Sequence, residues 1–212
     1  MGAGETSAWL NVLLTAAGLA PLDEETAGRF ESYLSLFIRW NAHLNLSAIR
    51  DEEGIASRHI IESIAVAHAL PLGIGSLLDF GSGAGLPGIP IALCRPEIVV
   101  TLAESQGKKA AFLQEAVRVL GISAKIHAGR AETLQENFDC VTLRAVDKMP
   151  KAVAAAVPLV ASGGWLALMT TGAEIAALRS AVGAEISWNE PAPLPFGNNR
   201  ILALGQRVNS AA

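Results

Sequence analysis

The run Asp79-Phe-Gly-Ser-Gly-Ala-Gly-Leu-Pro-Gly-Ile-Pro90 is where this sequence is densest in residue types that can hold a ligand. Gly81, Gly83 and Gly85 are spaced by two, and Leu86 stands where the dinucleotide fingerprint GxGxxG needs glycine. Such glycines allow positive φ and let a ligand lie against bare backbone, while Pro87 presets φ near a first helical turn. The same pattern also serves as a tight strand-to-helix turn with no ligand at all. Glu104 favours the ligand, because it lies 23 residues after Gly81 at the end of the next apolar run. An acid at that distance in a βαβ nucleotide site accepts hydrogen bonds from ribose hydroxyls. Arg130-Ala131-Glu132 follows a third apolar run, where an adenine ring would rest across the strand ends. Taken alone, Glu132 reads as a solvated loop carboxylate.

The two cysteines offer less. Cys94 and Cys140 lie 46 residues apart, with no CxxC and no His at ligand spacing, so they read as buried structural thiols in a reducing compartment. No metal site is expected.

The elements that must position these residues fall into two parts. Over residues 1–75 the pattern is helical: Ser7 to about Ala17, closed by Gly18; then Phe30, Tyr33, Leu34, Phe37, Ile38 and Asn41 on one face after Asp23-Glu24-Glu25; then Asp51 to about Leu70. From Ser76 short apolar runs alternate with helical stretches. Ser76–Phe80, Ile98–Ala103, Ala124–Ala128, Asp139–Leu143 and Gly164–Met169 are expected strands, and Pro87–Cys94, Gln106–Leu120 and Lys148–Val160 expected helices. That rhythm predicts an α/β fold with a mainly parallel, doubly wound sheet. After Glu174–Ala181, the segments Ala184–Trp188 and Arg200–Arg207, joined by a Pro-rich link, predict a hairpin at one edge. The expected division is a helical extension over 1–75 and a sheet domain over 76–212.

Composition narrows the function. Of 212 residues 17% are charged and 51% hydrophobic, against a usual charged share of about 25%, which excludes a disordered tail. The net charge of −4 excludes nucleic-acid binding by bulk positive charge. Residues 1–75 hold 4 basic and 9 acidic side chains, and 76–212 hold 12 and 11, so the second part is at +1. The 22 uncharged residues from Ala152 to Ala173 are broken by Pro158, Gly163, Gly164 and Gly172, so they read as a buried helix and strand and not as a membrane span. Met1–Leu10 has no basic leader pattern, and a cytoplasmic location is expected.

The runs LLDFGSGAGLPGIPIAL, TLAES with Lys108-Lys109, GRAE and FDCVTLRAV together resemble the 16S rRNA guanine-N7 methyltransferase G family, also called glucose-inhibited division protein B. Trp40-Asn41-Ala-His-Leu-Asn45-Leu and Arg58-His59-Ile-Ile-Glu62-Ser63 resemble that family's signatures in its helical part, so the likeness spans roughly 30–205. It implies a Rossmann-like class I S-adenosylmethionine-dependent methyltransferase, with a seven-stranded sheet, acting on a guanine in the decoding-centre loop (the 530 loop) of 16S rRNA or the small ribosomal subunit. The resemblance puts Gly81, Gly83, Gly85 and Leu86 in the cofactor loop, Glu104 at the ribose, Ala131 and Glu132 at the adenine, and Arg144 at the family's Arg-Ala. Two departures stand out: Leu143 replaces the usual Ser or Thr, and Met169-Thr170-Thr171-Gly172 lacks the fifth strand's lysine.

Guanine N7 carries a lone pair and no proton, so its methylation needs positioning and desolvation and no general base. Arg144 is the expected catalytic residue, able to meet the methionine carboxylate, the target base or a phosphate, or else to pair internally with Asp147 or Asp139. Arg58-His59 and Trp40-Asn41 either anchor packing or line the pocket side facing the base. RNA contact falls to a modest rim of Lys108, Lys109, Arg118, Lys148, Lys151 and Arg200, with shallow salt dependence. Methylation of a small molecule or protein, and a non-catalytic assembly factor, are the alternatives; a nicotinamide oxidoreductase is disfavoured by Leu86. The sequence leaves the oligomeric state open, with a monomer favoured.

Overall fold

The computed structural model describes residues 5–197 and 199–208. The reading of Met1–Leu10 and the link's Asn198 fall partly outside them. The helical part comprises α1 (Glu5–Ala16), α2 (Glu24–Asn41), α3 (Glu52–Ile55), a π-helical turn over Ala56–Ile61, and α4 (Glu62–Ala69). The acidic clusters act at two helix starts. Asp23 caps α2 by accepting from Thr26 N at 2.8 Å, and Asp51 caps α3 by accepting from Gly54 N at 2.6 Å. The periodicity of residues 51–70 predicts one continuous helix; the π turn in its middle is a difference that apolar spacing does not encode.

The sheet part runs β1 (Ser76–Phe80), α5 (Gly88–Cys94), β2 (Val99–Ala103), α6 (Gly107–Leu120), β3 (Lys125–His127), β4 (Phe138–Arg144), α7 (Met149–Ala156), β5 (Val160–Thr171), α8 (Ile175–Val182), β6 (Ile186–Trp188), β7 (Ala192–Pro193) and β8 (Arg200–Arg207). Strand order is β3-β2-β1-β4-β5-β8-β6, with β7 pairing off this path onto β8. Pairings among the first five strands are parallel, and β8 is antiparallel to β5, β6 and β7. The edge hairpin is present, and two-residue β7 adds an eighth strand to the seven expected. The helix expected over Lys148–Val160 stops at Ala156, where a 3-10 turn carrying Pro158 leads into a β5 longer at both ends than Gly164–Met169.

The apolar core splits between the sheet's two faces, as side-chain alternation along a strand requires. Leu77 and Cys140 point into a cluster with Leu10, Phe30, Phe37, Ile60, Ile89 and Phe112, so α1, α2 and the π turn share a core with α5 and α6. Leu78 and Val141 point into the other cluster, with Val153, Ala156 and Leu178 from α7 and α8. The uncharged run becomes the end of α7 and central strand β5, where Leu166, Ala167 and Leu168 are fully buried. No helix among the described residues is long and apolar enough to cross a membrane.

Candidate active site

Strand order reverses between β1 and β4, and ligands of open α/β sheets bind outside the strand ends at such a point. A cavity of about 510 Å³ lies there, within the range typical of small-molecule sites. Its two walls are built differently.

The first wall follows β1 and β2. Asp79 is buried and ties this turn together: its Oδ1 accepts from Thr142 Oγ1 at 2.8 Å and its Oδ2 from Gly88 N at 3.2 Å. Burial pushes the Asp79 carboxyl up to about 6. Glu104 is 6% exposed and crosses to the glycine loop, its Oε2 accepting from Gly83 N at 2.9 Å and its Oε1 from Gln106 N at 2.7 Å. A carboxylate offers about four acceptor sites, so two backbone donors orient it and leave capacity for ligand hydroxyls. Gly83 faces open space with φ +57°, whereas a Cβ on Gly85 would lie 2.4 Å from Ile89 Cδ1. Gly83 therefore leaves room for a ligand, and Gly85 is required by the packing of α5 on the loop. Tyr33, fully buried on α2, donates its hydroxyl to Ala84 O at 2.5 Å and fixes the loop from behind.

The second wall comes from the end of β4 and from Leu46, Ser47, Ala48 and His59 of the helical part. Arg144 lines the cavity, but its guanidinium turns toward the π turn. Nη2 donates to Arg58 O at 2.7 Å and lies 2.7 Å from His59 Nδ1 and 3.0 Å from Glu62 Oε2; Nη1 lies 3.3 Å from Ser63 Oγ. A π turn displaces the i→i−4 pattern, which leaves carbonyls open to such a donor. Glu62 is fully buried, and Arg200 Nε sits 3.0 Å from its Oε1 and 3.1 Å from its Oε2. Desolvation raises the Glu62 carboxyl while Arg144 and Arg200 oppose the rise. Desolvation lowers Arg144 to about 10, and desolvation together with Arg144 lowers His59 to about 3, so the imidazole is neutral.

The internal ion pair of Arg144 thus falls on Glu62, not on Asp147 or Asp139. Asp139 instead accepts from Gly75 N and Ser76 N, and Asp147 lines the cavity. Gly81, Gly83, Leu86, Glu104, Lys109 and Arg144 come together around the cavity. Gly85 lies behind it, and Lys108 and Lys148 are exposed outside its lining. Ala131 is buried in a 3-10 turn and Glu132 exposed beside it, both outside the lining as well. Arg200 is directed at Glu62. Trp40 anchors α2 to α6 through its Nε1 and Glu115 Oε2 at 2.9 Å. Asn41 shapes the wall's loop, accepting from Ser47 N and donating to Ile49 O. Both cysteines are free, and burial raises both thiols, Cys94 to about 12. Sequence reasoning missed Ser47 and Ala48; their only signal was the polar Asn41–Ser47 stretch between helices.

Solved structures share the fold. A methyltransferase from Pyrococcus furiosus superposes with TM-score 0.62 at 13% identity, covering 84% of this chain and 98% of that one. An S-adenosylmethionine-dependent O-methyltransferase from Thermotoga maritima gives 0.56 at 15%, covering 71% and 66%. Among curated relatives, "Ribosomal RNA small subunit methyltransferase G" of Xanthomonas oryzae pv. oryzae is 42% identical over 151 residues, 70% of each chain. The protein of the same name from Stenotrophomonas maltophilia is 44% identical over 151 residues, again 70% of each. The family model described as rRNA small subunit methyltransferase G matches residues 27–185, and with the Rossmann-like methyltransferase fold around the cavity it shows that this chain belongs to that family.

Proposed function

We propose that this protein transfers a methyl group from S-adenosylmethionine to N7 of a guanine in the decoding-centre loop of 16S rRNA. The observation that carries the reading is Glu104, oriented by Gly83 N and Gln106 N across a glycine turn with open space above it. These residues fit the cofactor: Glu104 has acceptor capacity left for two ribose hydroxyls, and Gly83 lets the ligand touch backbone. When bound, the cofactor supplies an electrophilic methyl on a sulfonium.

The chain's own contribution is positioning. Guanine N7 loses no proton on methylation, so the side chains need only align the base and exclude water, an effect worth up to about 7–11 kcal/mol in ideal cases. Lys109 at the cavity, with exposed Lys108 and Lys148 beyond it, supplies phosphate contacts at the rim. The protein acts in the cytoplasm, where its rRNA substrate lies.

Incubating the protein with S-adenosylmethionine and 16S rRNA or small subunits, then digesting the RNA for mass spectrometry, should yield 7-methylguanosine in the decoding-centre fragment. Methyl found on another atom, or on protein alone, overturns the reading. Glu104→Ala should weaken S-adenosylhomocysteine binding about tenfold or more and abolish the melting-temperature rise that ligand gives the wild type.

A further inference from the structure

The second wall contains a hydroxyl whose hydrogen-bonding direction is fixed. Ser47 Oγ lies 2.7 Å from His59 Nε2 and accepts from Ile49 N at 3.0 Å. Which way the first contact runs depends on the histidine tautomer, and the surroundings decide it. His59 Nδ1 is 2.7 Å from Arg144 Nη2, an atom that only donates, so Nδ1 must carry its lone pair there. Arg58 O, 3.1 Å from the same nitrogen, is the longer contact and already receives Arg144 Nη2. The neutral ring's one proton therefore sits on Nε2 and is donated to Ser47. Burial and the neighbouring guanidinium keep that ring from gaining a second proton.

Ser47 Oγ thus accepts twice, from His59 Nε2 and Ile49 N, which fills both lone pairs. Its own proton is bonded to no acceptor among the described residues, and both Ser47 and His59 line the cavity. A serine hydroxyl is ordinarily ambivalent; this one can only donate. Its neighbours on the wall, Leu46, Ala48 and a neutral imidazole, carry no charge, and the guanidinium of Arg144 is turned onto Glu62, which it shares with Arg200.

Resting on the reading of guanine N7 as the methyl acceptor, we infer that Ser47 donates to the O6 carbonyl of the target base and selects guanine, with His59 and Arg144 as positioning residues that fix its direction. Beside N7, guanine presents an acceptor and adenine a donor. A donor-only hydroxyl binds the first, meets the second N–H to N–H, and leaves N7 free. An ambivalent serine would accept from adenine and discriminate little.

The test uses full-length protein and 16S rRNA ligated from segments so that the target base is guanine or 2-aminopurine, which keeps N7 and lacks O6. Wild type should lose about 10- to 100-fold in kcat/KM on 2-aminopurine. Ser47→Ala should fall by a similar factor on guanine and no longer distinguish the bases, and Ser47→Thr should restore the preference. His59→Leu should lose the preference although Ser47 remains, with S-adenosylhomocysteine affinity unchanged, a readout that mere destabilisation would not give. Ser47→Ala that keeps the wild-type preference, or that weakens S-adenosylhomocysteine binding tenfold, overturns the inference, the latter by assigning the donor to the cofactor. A wild type that methylates guanine without preferring it over 2-aminopurine overturns the inference alone; one that methylates neither overturns the N7 reading too.

Discussion

The cavity's two walls solve the same problem, holding a ligand still, with opposite materials. The wall at β1 and β2 is mostly backbone: a glycine turn, two N–H groups and one carboxylate, all from within residues 79–106. The wall at β4 is mostly side chains drawn from residues 41–63, 144 and 200, bound by a buried guanidinium and carboxylate and a half-buried imidazole. Backbone tolerates ligand contact at little cost in stability because it is already fixed by its strands. A buried charged network has no such reserve, since each member left without its partner is a desolvated charge. The first wall should therefore fail by losing ligand, and the second by losing the fold.

The largest separation of the two is Arg144→Ala. It leaves the fully buried Glu62 with Arg200 alone and removes the donor that holds the π turn at Arg58 O. A loss of about 3–5 kcal/mol is expected, read as a fall in the urea midpoint. Glu104→Ala at the other wall should change that midpoint by far less while removing the ligand-induced shift. Equal destabilisation by both would erase the contrast.

The same contrast governs what the sequence made legible. The glycine turn, Glu104 and the strands that present them are local patterns: alternating apolar runs, glycines at fixed spacing, an acid one βα unit away. The pairing of Arg144 is not local. Its partner Glu62 lies 82 residues away along the chain, and the second guanidinium on that carboxylate, Arg200, lies 138 residues from Glu62. Nearby Asp147 and Asp139 were the natural candidates because proximity in sequence was the only guide. The π turn escaped for a related reason: the apolar spacing of residues 51–70 fits a helix, and only the tertiary demand of Arg144 for open carbonyls distinguishes the irregular stretch. Ser47 was invisible because its role follows from a tautomer, which follows from a contact.

A second effect, of about 3 kcal/mol between pH 4 and 6, sets one titratable group of each wall against the other. Asp79 is raised from 3.8 to about 6, so the folded state holds its proton more tightly. Its stabilising contribution is complete below about pH 4 and is lost as pH rises through 6. His59 is lowered from 6.5 to about 3, so its contribution is complete above 6.5 and declines as pH falls toward 3. Between pH 4 and 6 the two slopes oppose one another, each about 1.4 kcal/mol per pH unit. Relative to wild type, His59→Leu should gain stability as pH falls from 6 to 4, and Asp79→Asn should lose it. Parallel stability curves for the three proteins would show that neither group titrates as its surroundings dictate.

The smallest effect lies inside the first wall and tests whether its backbone is there for the ligand or for packing. Gly83 and Gly85 are two residues apart, both at positive φ, yet they meet different surroundings. A Cβ on Gly83 finds nothing nearer than Gly81 O at 3.9 Å, while one on Gly85 falls 2.4 Å from Ile89 Cδ1 and 3.1 Å from Leu113 Cδ2. Gly85→Ala combines backbone strain with overpacking and should cost about 1–3 kcal/mol, with ligand affinity following only as the fold weakens. Gly83→Ala carries the strain alone, about 1 kcal/mol, but places a methyl group in the space above the turn. Its S-adenosylhomocysteine affinity, by calorimetry at a temperature where both variants are folded, should fall at least tenfold, well beyond that of Gly85→Ala. If the two variants rank the same way in stability and in affinity, the glycine turn is a packing device, and the contrast between the walls reduces to Glu104.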